Sequence, residues 1–346
     1  MLSWLPSLAY PPAGDGYWSP ITSTLNWCEE ARSKPWAFTK HRNNHSQDYY
    51  ATPYVAEIVN TLTNSFFVYL GAKGIYNTLK EGHEKIFLTT FCGYLLVGTG
   101  SIFFHMTLKY PWQLVDELSM IYTTCIMFYA TFSHRQTTTY AAVLGVALLV
   151  LSVLITTYYH YLQDPTFHQI SYAILTAVVL LRAMWVMEVN IRPSISAREK
   201  ELRENGSMPP AERAELERQD KRDLKIVNDM WIMVYYGLGT FLGGFFIWNL
   251  DNIFCSSLIS WRHQIGLPWG ILLEGHGWWH VMTGIGAYFY ITWGIWLRQC
   301  LNNKQDQCEM YWPSTFSFPV IRNIRSPSDR VSNGVAQNGA AVKKEL

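Results

Sequence analysis

Long apolar runs alternate with polar connectors along this chain, and a window of about 19 residues picks out seven of them. They fall at Glu57–Asn77, Ile86–Met106, Gln113–Phe132, Tyr140–Tyr159, Phe167–Val189, Met230–Asn252 and Trp278–Leu297. Each is close to the ~20 residues that cross a bilayer's hydrocarbon core. Backbone groups in hydrocarbon must bond within their own segment, so the runs are expected to be helices. A β-barrel would show alternating segments of about ten residues, and these runs do not alternate. The purest is the fourth, AAVLGVALLVLSVLITT, which carries no charge. The pattern therefore predicts an all-α membrane protein built as a seven-transmembrane-helix bundle.

Basic residues orient that bundle. The connector after the fifth run holds Arg198, Lys200, Arg203, Arg213, Arg218, Lys221 and Arg222, and the C-terminal segment is also rich in Lys and Arg. Connectors of the opposite set are nearly bare, with Lys109 and Arg262 the exceptions. The N-terminus is then luminal and the C-terminus cytosolic. Residues 1–56 read as a luminal cap, 57–300 as the bundle with a charged cytosolic connector at 190–228, and 301–346 as a partly disordered cytosolic tail. Within the connector, PPAERAELERQDKRDLKI reads as a solvated helix introduced by prolines. The N-terminal stretch lacks the basic start and unbroken apolar run of a signal peptide. Net charge is only +1, which excludes a strongly basic nucleic-acid binder. Two glycosylation sequons, at Asn44 and Asn205, fall on opposite sides of this topology. Lys343 and Lys344 stand fourth and third from the end. On a cytosolic tail they form a dilysine signal of the kind coat proteins recognise, which places the protein in the endoplasmic reticulum or Golgi membrane.

With that orientation, polar residues sort to one leaflet. His105 closes the second run, Asp116 opens the third, and His276 and His280 open the seventh. Ser101 lies one turn before His105 on the same face; Asp251 and Glu57 fall at the same level. His276 and His280 are four apart, so a helix puts both rings on one side. Two interfacial histidines beside Trp278 and Trp279 are also what a membrane boundary carries. Ionisable groups inside a membrane are costly, however, and mark functional sites. Three imidazoles suit zinc with a water in the fourth position. A neighbouring carboxylate, Asp116, fits a proton shuttle, and Ser101 fits an oxyanion or water contact. His160 and His168 lie on the same side and are rival ligands.

Several stretches resemble the alkaline ceramidases. These are Ser23–Glu30, the run from Gly100 through Ser101 and His105 to Tyr110, Gln113 to Tyr122 around Asp116, Asn249–Cys255, and Gly275–Gly284 around His276 and His280. The resemblance implies an integral-membrane zinc amidase that cleaves ceramide or phytoceramide to a sphingoid base and a fatty acid, with weak reverse synthesis. It assigns zinc to His105, His276 and His280, and catalysis to Asp116 with Ser101. It also implies calcium at Asn26, Trp27, Glu29 and Glu57, although Asn26 and Ala31 depart from the family's usual oxygen ligands. The alternative that the same superfamily suggests is a seven-helix lipid receptor with a mainly structural zinc. A transporter would show inverted repeats or paired broken helices, and none is evident. Of six cysteines, only Cys28 and Cys255 fall on the oxidising side; a disulfide between them is expected. Cys92 and Cys125 are expected as packed apolar residues, and Cys300 and Cys308 as reduced thiols.

Overall fold

The computed structural model describes residues 6–11, 16–25, 28, 49–193 and 209–324. Helices dominate. The first expected run is divided: α1 (Ile58–Thr63) and α2 (Ser65–Lys80) meet at Asn64, a buried residue whose Nδ2 donates to Asn60 O at 2.9 Å. Next come α3 (Lys85–Thr107), α4 (Tyr110–Ser133), α5 (Thr138–Leu162) and α6 (Pro165–Ile191). Sequence chemistry sets several ends. The Thr137 side chain accepts from Tyr140 N, and Asp164 accepts from Thr166 N ahead of Pro165. Both satisfy otherwise orphaned amides, and the proline starts α6 without losing a bond.

From Pro210 onward the charged connector does not form a separate helix. It runs unbroken into the sixth apolar run as α7 (Pro210–Ile253), 44 residues long, about 66 Å at 1.5 Å per residue. No proline or glycine lies between Ala211 and Tyr236 to interrupt it. A short α8 (Cys255–Ile265) and a 3-10 turn (Trp269–Leu273) lead into α9 (Gly275–Leu301). Beyond α9 the chain makes an antiparallel hairpin of β1 (Cys308–Tyr311) and β2 (Val320–Asn323). The hairpin docks at the end of the bundle away from His276 and His280. Tyr288 Oη donates to Pro319 O at 3.0 Å, Asn323 N donates to Glu81 Oε2 at 2.9 Å, and His83 Nε2 lies 3.0 Å from Ile321 O. Burial of His83 holds its pKa below the usual imidazole value. The first part of the expected tail is thus ordered packing.

α9 is the axis of the bundle: Tyr288, Phe289, Trp293 and Trp296 are all buried along it. It crosses α7 closely at paired glycines. A Cβ on Gly286 would sit 2.9 Å from Gly237 O, so only small residues allow this approach. α5 is the opposite case. Val143, Val146, Leu149, Val150, Val153 and Leu154 are exposed along it, an apolar face that suits lipid and not water. Among the described residues four helices, α3, α5, α6 and α7, are long and apolar enough to cross a membrane. The protein is an all-α membrane protein at that level of description. Cys125 is buried as expected, whereas Cys92 is exposed on α3; a thiol is apolar enough to face lipid. Cys300 and Cys308 are free and buried.

Candidate metal centre

Local structure explains why His105 points inward. α3 ends at Leu108, which adopts a left-handed conformation (φ 49°) and is buried. Its carbonyl accepts from Thr22 N (3.2 Å) and Ser23 N (3.0 Å) of the N-terminal segment. Ala56 N and Glu57 N donate to Met106 O and His105 O, both at 3.0 Å. The chain before α1 is thereby laced to the last turn of α3. Glu57 ends with Oε2 2.5 Å from His105 Nδ1, both side chains almost fully buried. Asn60 Nδ2 donates to the same oxygen at 3.3 Å.

The start of α9 is fixed by α7 and α1. Asp251 Oδ1 accepts from Gly275 N at 3.1 Å, which caps the helix carrying His276 and His280. Gly277 lets α1 approach, since a Cβ there would meet Val59 Cγ1 at 2.9 Å. That approach brings Thr63 Oγ1 to 3.2 Å from His280 Nδ1. The Thr63 hydroxyl donates to Val59 O at 2.8 Å, so it must accept from His280 Nδ1–H. Glu57 likewise accepts from His105 Nδ1–H. Both partners fix the tautomer and leave Nε2 as the free lone pair.

The three rings gather. Centroids of His105, His276 and His280 are 4.5 to 5.2 Å apart. One ligand nitrogen from each lies within 4.8 Å of the others, and all three residues are buried. Three convergent imidazole nitrogens, two of them with their second nitrogen already bonded, fit a zinc ion. Ser101 lies within side-chain hydrogen-bonding reach of Asp116. Ser101, Asp116, His276 and His280 line one cavity of about 370 Å³. Its walls are otherwise mainly apolar, and a second cavity of about 140 Å³ shares Phe67, Met120 and Phe241 with it. A polar head at one end of an apolar slot suits an amphiphile.

The rival histidines stay out of the three-ring cluster, although His168 lines the same cavity. His160 Nδ1 faces Tyr110 Oη at 3.1 Å, and His168 Nε2 bonds Glu117 O at 2.8 Å; neither joins the cluster among the described residues. Of the expected calcium ligands, Asn26, Trp27 and Glu29 lie outside the described residues, as do Ala31, Asn44, Asn205, Lys343 and Lys344. Glu57 is described, and its Oε1 is buried with no hydrogen-bond partner among the described residues. An orphaned carboxylate oxygen is chemically suited to a hard cation. Cys28 and Cys255 form a disulfide with Cα atoms 5.4 Å apart, tying the N-terminal segment to α8. Arg262 beside it is fully buried and donates to Cys28 O at 2.6 Å. Sequence reasoning passed over Thr63, Asn60 and Glu117; their only signal was polarity inside or beside an apolar run.

Fold and site together define a helical membrane protein with a buried three-imidazole centre opening on an apolar cavity. Comparison with known proteins gives the family. The ceramidase family's sequence profile matches residues 19–322. Alkaline ceramidase 3 of Mus musculus is 32% identical over 314 residues, covering 89% of this chain and 98% of the relative. An alkaline ceramidase of Saccharomyces cerevisiae is 33% identical over 341 residues, covering 93% and 92% respectively. One from Arabidopsis thaliana is 22% identical over 277 residues, covering 79% and 82%. The chain belongs to the ceramidase family and is a hydrolase of that family.

Proposed function

We propose that the protein hydrolyses the N-acyl amide of ceramide or phytoceramide, releasing a sphingoid base and a fatty acid. The observation that carries the reading is the convergence of three buried imidazoles, two of which, His276 and His280, line one apolar cavity with Asp116 and Ser101. His105, His276 and His280 would hold zinc, with Glu57 and Thr63 orienting two of the rings. When bound, that ion supplies Lewis-acid polarisation of the amide carbonyl and an acidified water as nucleophile. Asp116 takes the water's proton on a carboxylate oxygen and returns it to the departing nitrogen. Ser101 holds the Asp116 carboxyl in place for both transfers. The cavity walls bind the chains, at roughly 0.8 kcal/mol for each methylene removed from water, and keep bulk water from the reacting amide.

The topology belongs to the same reading. We take α1 with α2, then α3, α4, α5, α6, α7 and α9, as seven crossings. α4 and α9 are rich in Tyr, Trp and Thr, which lowers their average hydropathy without removing them from the bundle. The charged half of α7 and the hairpin lie in the cytosol, and the histidine end faces the lumen. The Cys28–Cys255 bond on that side suits an oxidising compartment, and the dilysine tail suits the endoplasmic reticulum. Calcium at Glu57 would draw on the orphaned Oε1.

The test is direct. Detergent-purified protein is supplied with ceramide, and free sphingoid base and metal content are measured together. We expect base release that His280→Ala and Asp116→Asn each reduce at least 10²-fold, the lower range for a positioned acid–base group, with unchanged helical circular dichroism. Turnover by His280→Ala protein that holds no metal defeats the proposal.

A further inference from the structure

The cavity has a second polar corner that the proposed chemistry does not use. Glu117 and His168 line it together with Asp116, and both are more than nine-tenths buried. Glu117 is held by one oxygen. Its Oε2 accepts from Tyr159 Oη at 2.5 Å and from Gln113 Nε2 at 3.1 Å. Gln113 is itself fixed from the N-terminal segment, since its Oε1 accepts from Thr24 N at 2.9 Å and its Nε2 donates to Thr24 Oγ1 at 2.8 Å. The other oxygen, Oε1, lies 3.7 Å from His168 Nδ1, too far for a hydrogen bond.

His168 is fixed just as firmly. Its Nε2 lies 2.8 Å from the Glu117 carbonyl, which can only accept. Nε2 therefore carries the proton, and Nδ1 of that tautomer is an acceptor. Two hydrogen-bond acceptors thus stand side by side at a cavity wall, each on a side chain whose other polar atoms are already bonded. Both residues line the cavity, where the O–H groups of a ligand can donate to such acceptors.

We propose that Glu117 Oε1 and His168 Nδ1 form a subsite for hydroxyl groups on the amine half of the substrate. The amine half is chosen because Asp116, the residue proposed to protonate the departing nitrogen, is the chain neighbour of Glu117 and lines the same cavity. The inference rests on the amidase reading. It assigns discrimination between the amino-diol half of the substrate and a simple alkylamine to these two acceptors.

The experiment uses the detergent-purified full chain and four amides of one fatty acid. Their amines are a long-chain 2-amino-1,3-diol, its 1-deoxy and 3-deoxy forms, and an alkylamine of equal length. Wild type is expected to prefer the diol over the alkylamine in kcat/KM by a hundredfold or more, following the factor of about ten or above for each hydrogen bond to a strong acceptor. Glu117→Gln keeps an oxygen for Tyr159 but replaces the free acceptor by a donor. It is expected to cut the diol preference at least tenfold, mainly through KM. Adding a hydroxyl to the acyl chain should leave the size of that cut unchanged. A merely structural role would lower all four substrates by one common factor, and that result overturns the subsite. If the variant does not fold, the wild-type panel decides: equal kcat/KM across the four amides overturns the subsite alone. Cleavage of none of them overturns the amidase reading, and the subsite falls with it.

Discussion

Glu57 gives the sharpest test of how the centre is held. Its Oε2 lies 2.5 Å from His105 Nδ1, and each side chain is only 1% exposed. A carboxylate behind a metal-bound imidazole fixes the ring and raises its basicity, and its loss typically weakens metal binding 10- to 100-fold, about 1.4 to 2.8 kcal/mol. Glu57→Ala should fall in that range. Glu57→Gln, which keeps an acceptor oxygen but no charge, should fall between it and wild type. The assay is competition for zinc against a chelating dye in detergent, with activity followed across the same free-zinc series. The activity curve should move to higher zinc and recover most of its plateau. Repeating the series with calcium separates the two ions, because calcium alone should not restore the Glu57→Ala curve. Wild-type zinc affinity in Glu57→Ala would refute the argument that this carboxylate orients His105.

Two further outcomes follow from packing and charge. Gly286→Val places a branched side chain where even a Cβ meets Gly237 O at 2.9 Å and Phe241 Cβ at 2.9 Å; overpacking of this kind costs about 1–3 kcal/mol. A lowered thermal midpoint in detergent should report it, and an unchanged midpoint would show that the α7–α9 crossing is looser than described. His83 couples the hairpin to pH. Burial depresses its pKa, and Gln299 Nε2 lies 3.2 Å from its Nδ1. The unfolded state therefore binds the proton more readily, so His83 contributes stability above its unfolded pKa that is lost as pH falls through the depressed folded value. Hydrogen exchange in residues 308–323, corrected for intrinsic rates, should accelerate on acidification below about 6.5. His83→Gln should flatten that response; an equal pH response in the variant would assign it to another group.

The sequence alone determined what depends on local composition. Apolar runs of bilayer length dictate helices, because hydrocarbon leaves a backbone no other partner. The i, i+4 spacing of His276 and His280 puts two rings on one face in any helix. Sorting of His105, Asp116, His276 and His280 to one end follows from run boundaries and chain direction. Even the Cys28–Cys255 pairing was legible, since topology left these two cysteines on one side. Other features depend on how the helices meet, and a one-dimensional pattern does not carry that. Asn64 divides the first run by bonding back to Asn60, and Gly277 admits α1 so that Thr63 reaches His280. The connector from Ala211 onward becomes part of α7 because no proline or glycine interrupts it, and the hairpin docks where Tyr288 and Glu81 supply partners. Glu117 and His168 lie 51 residues apart, and each reads in sequence as an isolated polar residue. Only the packing of α4 against α6 makes them one corner of the cavity.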